Sequence, residues 1–320
     1  MNRFFRSTSF LPLIFTPIVY IIIAIFGSYF LKPVPIVDCF IGLPNLFNIT
    51  LSTHHVLNIF ILISVSTLIF WYCEDGKYLD QSTSLGALIY SIMASSIIYK
   101  YGTDNLTISL VFLVLAMIFI QKAVLVSKSN SPLFSFSVCI VLAVLFSPKL
   151  VMLILWMFLI PIYIGRNTLK DFTALLLGIL TVLFFVLFFY FWNNNLENCY
   201  DSYKLIFESG ELLRDLSIKY ISIIVFLLFF LLLALNQIFI KNPSTVLKNK
   251  KSFNIIFSLI CFLLPSFFFI NGFELKYVEI IALPLSLLYT QYLISTQKKW
   301  IPTVFFLGLI IVGVFLVPFI

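Results

Sequence analysis

The sequence predicts an all-α fold, a bundle of about eleven transmembrane helices that forms a single integral membrane domain, residues 1–320. The chain is 62% hydrophobic and only 10% charged, whereas a soluble domain is roughly 45–50% apolar and about 25% charged. Its apolar runs, such as 221–240, are continuous and lack the alternation of a barrel strand. Lipid is therefore the expected solvent for most of the chain.

The individual spans are marked by apolar runs of about 15–24 residues that end at charged residues, Pro, Gly or Asn. We predict spans at 11–31, 55–73, 83–99, 106–121, 132–146, 150–165, 173–192, 217–240, 253–271, 278–295 and 301–319. The fifth and sixth spans are short and meet at Ser147-Pro148-Lys149, and whether both cross fully stays open at this point.

The distribution of basic residues predicts the orientation. Lys and Arg concentrate on the cytoplasmic side of membrane proteins. With a cytoplasmic N-terminus, most of the 20 basic residues, including the dense stretch 241–251, lie inside, and most acids lie outside. We therefore predict a multi-pass membrane protein whose N-terminus is cytoplasmic. The net charge of +7 fits contact with anionic lipid and needs no nucleic-acid partner.

The longest segment between the predicted spans is 193–217, on the outer side. Its partly amphipathic pattern predicts a short helix lying in the membrane interface. Its acids, among them Glu197 and Asp201, could contact a sugar substrate or a divalent cation. Alternatively, they and Glu274 and Glu279 of the last outer loop reflect only the exclusion of basic residues from that side.

Two charged residues at the outer face are candidates for function. Asp38 lies in the first outer loop, where a carboxylate beside lipid could act as a general base; the alternative is a solvated loop acid. A lysine at mid-membrane depth costs about 2.5–3.5 kcal/mol, so two short spans with Lys149 between them predict that its ammonium reaches the outer interface. There it could hold a lipid-borne phosphate, as a compact point charge.

Histidine and cysteine give no metal signature. His54 and His55 are adjacent and cannot by themselves close a four-ligand site. The five cysteines include no CxxC pair. We expect no resident metal or cofactor, apart from the divalent cation considered above. Cys39 and Cys199 fall in loops on the same side and could form a disulfide.

The whole chain resembles an uncharacterised family of polytopic bacterial inner-membrane proteins. The resemblance is in layout: an N-terminal Arg before a Phe-rich span, a Pro-containing first outer loop, and the hairpin LAVLFSPKLVMLILWMFLIPIYIGR. Members are often labelled beta-carotene 15,15'-monooxygenase. The residues argue against that label, because carotenoid-cleavage oxygenases are propeller enzymes with four histidine ligands to iron, and this chain has two histidines.

The segment LAVLFSPKL (142–150) is also similar to a recurring element of the membrane-embedded GT-C glycosyltransferases. This resemblance implies a cytoplasmic N-terminus and a catalytic acidic residue in the first outer loop, at Asp38. It also implies a polyprenyl-phosphate-linked sugar as the substrate. Many GT-C members carry paired acids in that loop, whereas this chain has one. The expectations are therefore a GT-C-like glycosyltransferase or an inactive relative, a non-catalytic subunit that contacts other envelope membrane proteins in an assembly or secretion complex, or a lipid or oligosaccharide transporter.

Overall fold

The computed structural model describes residues 11–30, 51–75, 83–101, 105–126, 129–193, 218–236, 243–269, 275–296 and 300–312. These ranges contain eleven α-helices and no strand. The helices are α1 (Leu11–Phe30), α2 (Leu51–Asp75), α3 (Leu85–Tyr101), α4 (Asn105–Leu125), α5 (Ser131–Phe146), α6 (Met152–Ile164), α7 (Leu169–Trp192), α8 (Ile218–Asn236), α9 (Pro243–Phe269), α10 (Val278–Ser295) and α11 (Trp300–Ile310).

The predicted fold class is confirmed, since each predicted span coincides with one helix. The span predicted at 278–295 coincides with α10 at both ends. The largest difference is in α9, which begins at Pro243 rather than at 253. The residues between them include Lys248, Lys250 and Lys251, and lysine is a good helix former. A search for apolar runs marks only the apolar part of such a helix.

Among the described residues, four helices are long and apolar enough to cross a membrane: Val56–Glu74 within α2, and the whole of α4, α7 and α10. The remaining helices contribute apolar stretches of 10–17 residues, such as Ile14–Ile25 in α1 and Lys251–Ser266 in α9. Large apolar side chains are exposed along α1, α7 and α8. Exposed apolar surface on this scale is what a bilayer or a partner would cover.

Helix α10 lies at the centre of the described part of the bundle. Fully 83% of its residues are buried, and it packs against α3, α4, α8 and α9. A second close contact joins α5 to α7, where Gly178 packs directly on Ser137. Small residues at such crossings let two helix backbones approach closely.

The predicted break between the fifth and sixth spans is present. Helix α5 ends at Phe146, and Pro148–Leu150 form a turn of 3₁₀ helix before α6. Pro148 has no N–H and disfavours helical backbone at the residue before it. Ser147 accordingly adopts an extended conformation, with φ −138° and ψ 92°. The two short predicted spans are thus two helices with Lys149 between them.

The opposite end of this hairpin is fixed by Arg166. Gly165 ends α6 in the left-handed conformation, with φ +91°, which glycine adopts without steric cost. The Arg166 guanidinium then donates to the carbonyls of Ala123 and Ser129, each at 3.1 Å, and to that of Val126. It also pairs with Asp171 at 3.3 Å. One side chain thereby satisfies carbonyls at the C-terminal end of α4 and neutralises the acid that caps α7.

Candidate functional site

Lys149 lies in the turn between α5 and α6 and is half-buried. Its ammonium donates a hydrogen bond to the hydroxyl of Tyr277 and lies 4.9 Å from the centre of the same ring. Tyr277 is fully buried at the start of α10. Cation–π and hydrogen-bond contacts with one tyrosine fix the position of the positive charge. The ammonium is therefore held at a helix junction rather than extended from a flexible stem.

Glu279 lies two residues beyond Tyr277, in the first turn of α10. Its side chain is 2% exposed, and its Oε2 accepts a hydrogen bond from the hydroxyl of Thr107 at 3.3 Å. The sequence counts Glu279 among the outer-side acids, at the very start of the span predicted at 278–295, and the structure shows that this position is enclosed in the bundle. The reason is that α10 is surrounded by other helices from its first turn, so even its N-terminal side chains are enclosed.

These contacts place several polar side chains at one end of the bundle. Thr107 begins α4, Lys149 joins α5 to α6, and Tyr277 and Glu279 begin α10. The shared end, called the Lys149 end below, is opposite the one at which Arg166 binds α4. The sequence predicts that Lys149 and Glu279 lie on the same side of the membrane, and the structure has both residues at the same end of the bundle.

An apolar cleft lies between the last turns of α5 and α7, also at the Lys149 end. It has a volume of about 240 Å³ and is lined by Leu142, Leu145, Phe146, Phe185, Val186, Phe189 and Tyr190. Phe146 is the last residue of α5, three residues before Lys149. The cleft is partly open, so a hydrocarbon chain could enter it from the side of the bundle.

The remaining predicted site residues lie outside the described residues. They are Asp38, Glu197 and Asp201, together with Cys39 and Cys199, which the sequence considers as a disulfide pair. The helix predicted within 193–217 falls there too, except for Asn193. Of the predicted site residues, the structure therefore places Lys149 alone.

Sequence reasoning missed the partners of Lys149 and Glu279. Lys149 and Tyr277 are 128 positions apart, and Thr107 and Glu279 are 172 positions apart. No periodicity links such distant positions. A local signal did exist for Glu279, since the sequence places it at the second residue of the span predicted at 278–295, and a charged residue within a span is a functional candidate.

The described site offers two kinds of chemistry. A fixed ammonium at a helix junction can hold an anion such as a phosphate. The buried carboxylate of Glu279, which accepts a hydrogen bond from the Thr107 hydroxyl, can hold a proton or a cation. Both groups offer oxygen atoms, which are the ligands that hard cations prefer. Within the described ranges, no three or more His, Cys, Asp or Glu side chains come together.

No protein-family model, no curated protein sequence and no solved structure matches this chain.

Proposed function

We propose that this chain is a GT-C-like glycosyltransferase of the bacterial inner membrane that acts on a polyprenyl-phosphate-linked sugar at the outer face. The observation that carries the proposal is the fixed ammonium of Lys149, held by Tyr277 at a break between two helices. In this proposal Lys149 binds the lipid phosphate. Asp38 is the general base that activates the acceptor hydroxyl, and Glu197 and Asp201 contact the sugar.

The apolar cleft between α5 and α7 supports the same substrate class. A polyprenyl phosphate joins a long hydrocarbon chain to an anionic head. The lining of the cleft is suited to the chain, and the turn that follows Phe146 carries the charge suited to the head. Burying apolar surface supplies affinity, while the ammonium selects a phosphate over an uncharged head.

A second candidate is a non-catalytic subunit of an envelope assembly complex. Its support is the aromatic face of α7, where Phe184, Phe188 and Trp192 are 65%, 51% and 74% exposed. Their rings follow one another at centroid distances of 6.2 and 5.9 Å. Such a face could pack against a helix of another membrane protein, although lipid would cover it equally well.

The first experiment compares polyprenyl phosphate with the uncharged polyprenol for binding to the full chain in nanodiscs, by native mass spectrometry. We expect the phosphate to bind more tightly and Lys149→Gln to weaken it about tenfold, which corresponds to about 1.4 kcal/mol. The matched control is Lys100→Gln, because the Lys100 ammonium also lies near a tyrosine ring, 5.3 Å from the centre of Tyr101. This variant should bind like the wild type.

Equal binding of the phosphate and the alcohol, or equal loss in both lysine variants, would reject the assigned role of Lys149. If binding is selective, transfer of the sugar to an acceptor is assayed with the wild type and Asp38→Asn. Transfer by the wild type and its loss in Asp38→Asn without loss of lipid binding support the enzyme. Selective binding with no transfer by the wild type favours the non-catalytic subunit.

A further inference from the structure

A second lysine is held by aromatic rings, at the end of the bundle opposite the Lys149 end. Lys122 lies in the last turn of α4. Its ammonium lies 5.1 Å from the ring centre of Trp71, on α2, and 5.9 Å from that of Phe119, on α4 itself. Aromatic faces attract a cation at such distances. Two rings from two helices therefore hold this ammonium where α2 and α4 end.

The described part of the chain leaves the N–H groups of Lys122 unused. A lysine in the last turn of a helix often binds the terminal carbonyls, but at the end of α4 Arg166 takes that role. Among the described residues, no oxygen accepts a hydrogen bond from Lys122 and no carboxylate pairs with it. Glu74, one turn beyond Trp71 on α2, is exposed and makes no ion pair within the same ranges. The positive charge of Lys122 is therefore not neutralised there.

The surface next to Lys122 is apolar. Trp71 is exposed, and so are Leu125 and Val126 at the end of α4. Phe119 is half-buried one turn before Lys122, on the same face of the helix. A tryptophan beside a lysine at the end of apolar helices is typical of a membrane interface, where the ring lies at headgroup level and the ammonium reaches the phosphates. The surface thus joins one positive charge to exposed apolar side chains.

We propose that Lys122, Trp71 and Phe119 bind the headgroup of one anionic phospholipid at this end of the bundle. The ammonium binds the phosphate as a point charge, and its position is fixed by the two rings. An ammonium that no carboxylate neutralises favours a headgroup of net negative charge over a zwitterionic one. The occupant is a lipid rather than a free phosphate ester, because acyl chains would cover the apolar surface that a soluble anion would leave exposed.

This inference requires that the chain lies in a bilayer, but it uses neither Lys149 nor Asp38. Lys122 and Lys149 are at opposite ends of the bundle, so failure at one lysine leaves the proposal for the other unchanged. Lys149→Gln should keep the binding of phospholipid at Lys122. Conversely, Lys122→Gln should keep the binding of polyprenyl phosphate.

The test is the binding of phospholipid to the purified full chain in detergent, measured by native mass spectrometry. The probes are phosphatidylglycerol and phosphatidylcholine with the same acyl chains. We expect the wild type to bind phosphatidylglycerol more tightly, and Lys122→Gln to weaken that binding about fivefold. Trp71→Leu should weaken it about twofold to fivefold. Lys122→Arg keeps a cation that binds phosphate and stacks on rings, so it should stay within about twofold of the wild type.

The matched control is Lys170→Gln. Lys170 is exposed in the first turn of α7 at the same end, and no aromatic ring of the described residues lies over its ammonium. Both glutamine variants remove one positive charge from this end, so general attraction of anionic lipid falls equally in both. Only a defined site makes Lys122→Gln the weaker binder. If Lys122→Gln fails to fold, the comparison of Trp71→Leu with Lys170→Gln decides the question.

Two results would overturn the proposal: equal binding of phosphatidylglycerol by Lys122→Gln and Lys170→Gln, or equal affinity of the wild type for the two lipids. A third measurement adds excess glycerol phosphate as a soluble competitor. Phosphatidylglycerol binding that persists supports a lipid as the occupant. Displacement by glycerol phosphate would show a site for a free phosphate ester and would reject the lipid.

Discussion

At the scale of single residues, the contact of Gly178 with α5 limits what can occupy that position. A Cβ atom built on Gly178 would lie 1.8 Å from the Ser137 hydroxyl oxygen and 2.9 Å from the Phe134 carbonyl oxygen. The hydroxyl can rotate away, but the carbonyl belongs to the backbone of α5. A side chain at this position therefore has to push two helices apart.

We predict that Gly178→Ala destabilises the protein by about 1–3 kcal/mol, the usual cost of overpacking. Gly86→Ala is the control, because the closest atom to its added Cβ would be the Thr290 side-chain oxygen, at 3.2 Å, and it should cost less than about 1 kcal/mol. Unfolding of both variants in mixed detergent micelles measures the difference. Equal stability of the two variants would show that α5 and α7 do not pack closely at Gly178.

At the scale of helices, one chain of hydrogen bonds joins α2, α4 and α9. The Tyr72 hydroxyl donates to Gln121 Oε1 at 3.1 Å, and Gln121 Nε2 donates to the Ser252 hydroxyl at 2.8 Å. All three side chains are buried. Apolar contacts alone discriminate poorly between one helix partner and another inside lipid, so such bonds select the partners.

We predict that Gln121→Leu destabilises the fold by about 1–2 kcal/mol, since hydrogen bonds between membrane helices are individually modest. The substitution approximately conserves volume but leaves the Tyr72 and Ser252 hydroxyls without these bonds. Ser258→Ala serves as a comparison, because it removes one hydrogen bond between helices where Gln121→Leu removes two. The Ser258 hydroxyl accepts that bond from Trp156, at 2.9 Å. A Gln121→Leu variant as stable as the wild type in steric-trapping measurements would contradict the role of this chain of bonds.

The helices themselves could be predicted from the sequence, whereas their partners could not. Charges, Pro148 and Asn interrupt the apolar runs, and these interruptions locate α5, α6 and α10 to within a few residues. To predict which helices pack together, one must know which face of each helix points inward. In nearly uniform apolar helices, every face is apolar, so the sequence carries no such mark. That is why Tyr277 beside Lys149 and Thr107 beside Glu279 emerge only from the structure.

At the scale of the whole molecule, the arrangement has two distinct ends. The Lys149 end carries Thr107, Tyr277 and Glu279, and the opposite end carries Arg166 bound to α4 and α7. The positive-inside pattern predicts that the Lys149 end faces outward. Lys100, the penultimate residue of α3, belongs to the Lys149 end, and the exposed Lys170 of α7 belongs to the opposite end.

We predict that a cysteine at position 100 reacts with a membrane-impermeant maleimide in intact cells. A cysteine at position 170 should react only after the membrane is permeabilised. Both are introduced into a chain whose five native cysteines are replaced by serine. The reverse pattern would place the N-terminus outside and the candidate phosphate site in the cytoplasm.

The enclosure of α10 has a further consequence for biosynthesis. Of the four helices long and apolar enough to cross a membrane among the described residues, α10 is the least hydropathic and the most buried, while α7 is the most hydropathic and the least buried. A segment like α10 gains less than α7 from entering lipid alone. Its packing partners α3, α4, α8 and α9 all precede it in the chain. The ribosome therefore delivers these helices first. For a chain that inserts into a membrane as we propose, α10 would leave the translocation channel onto a surface that its neighbours have already formed.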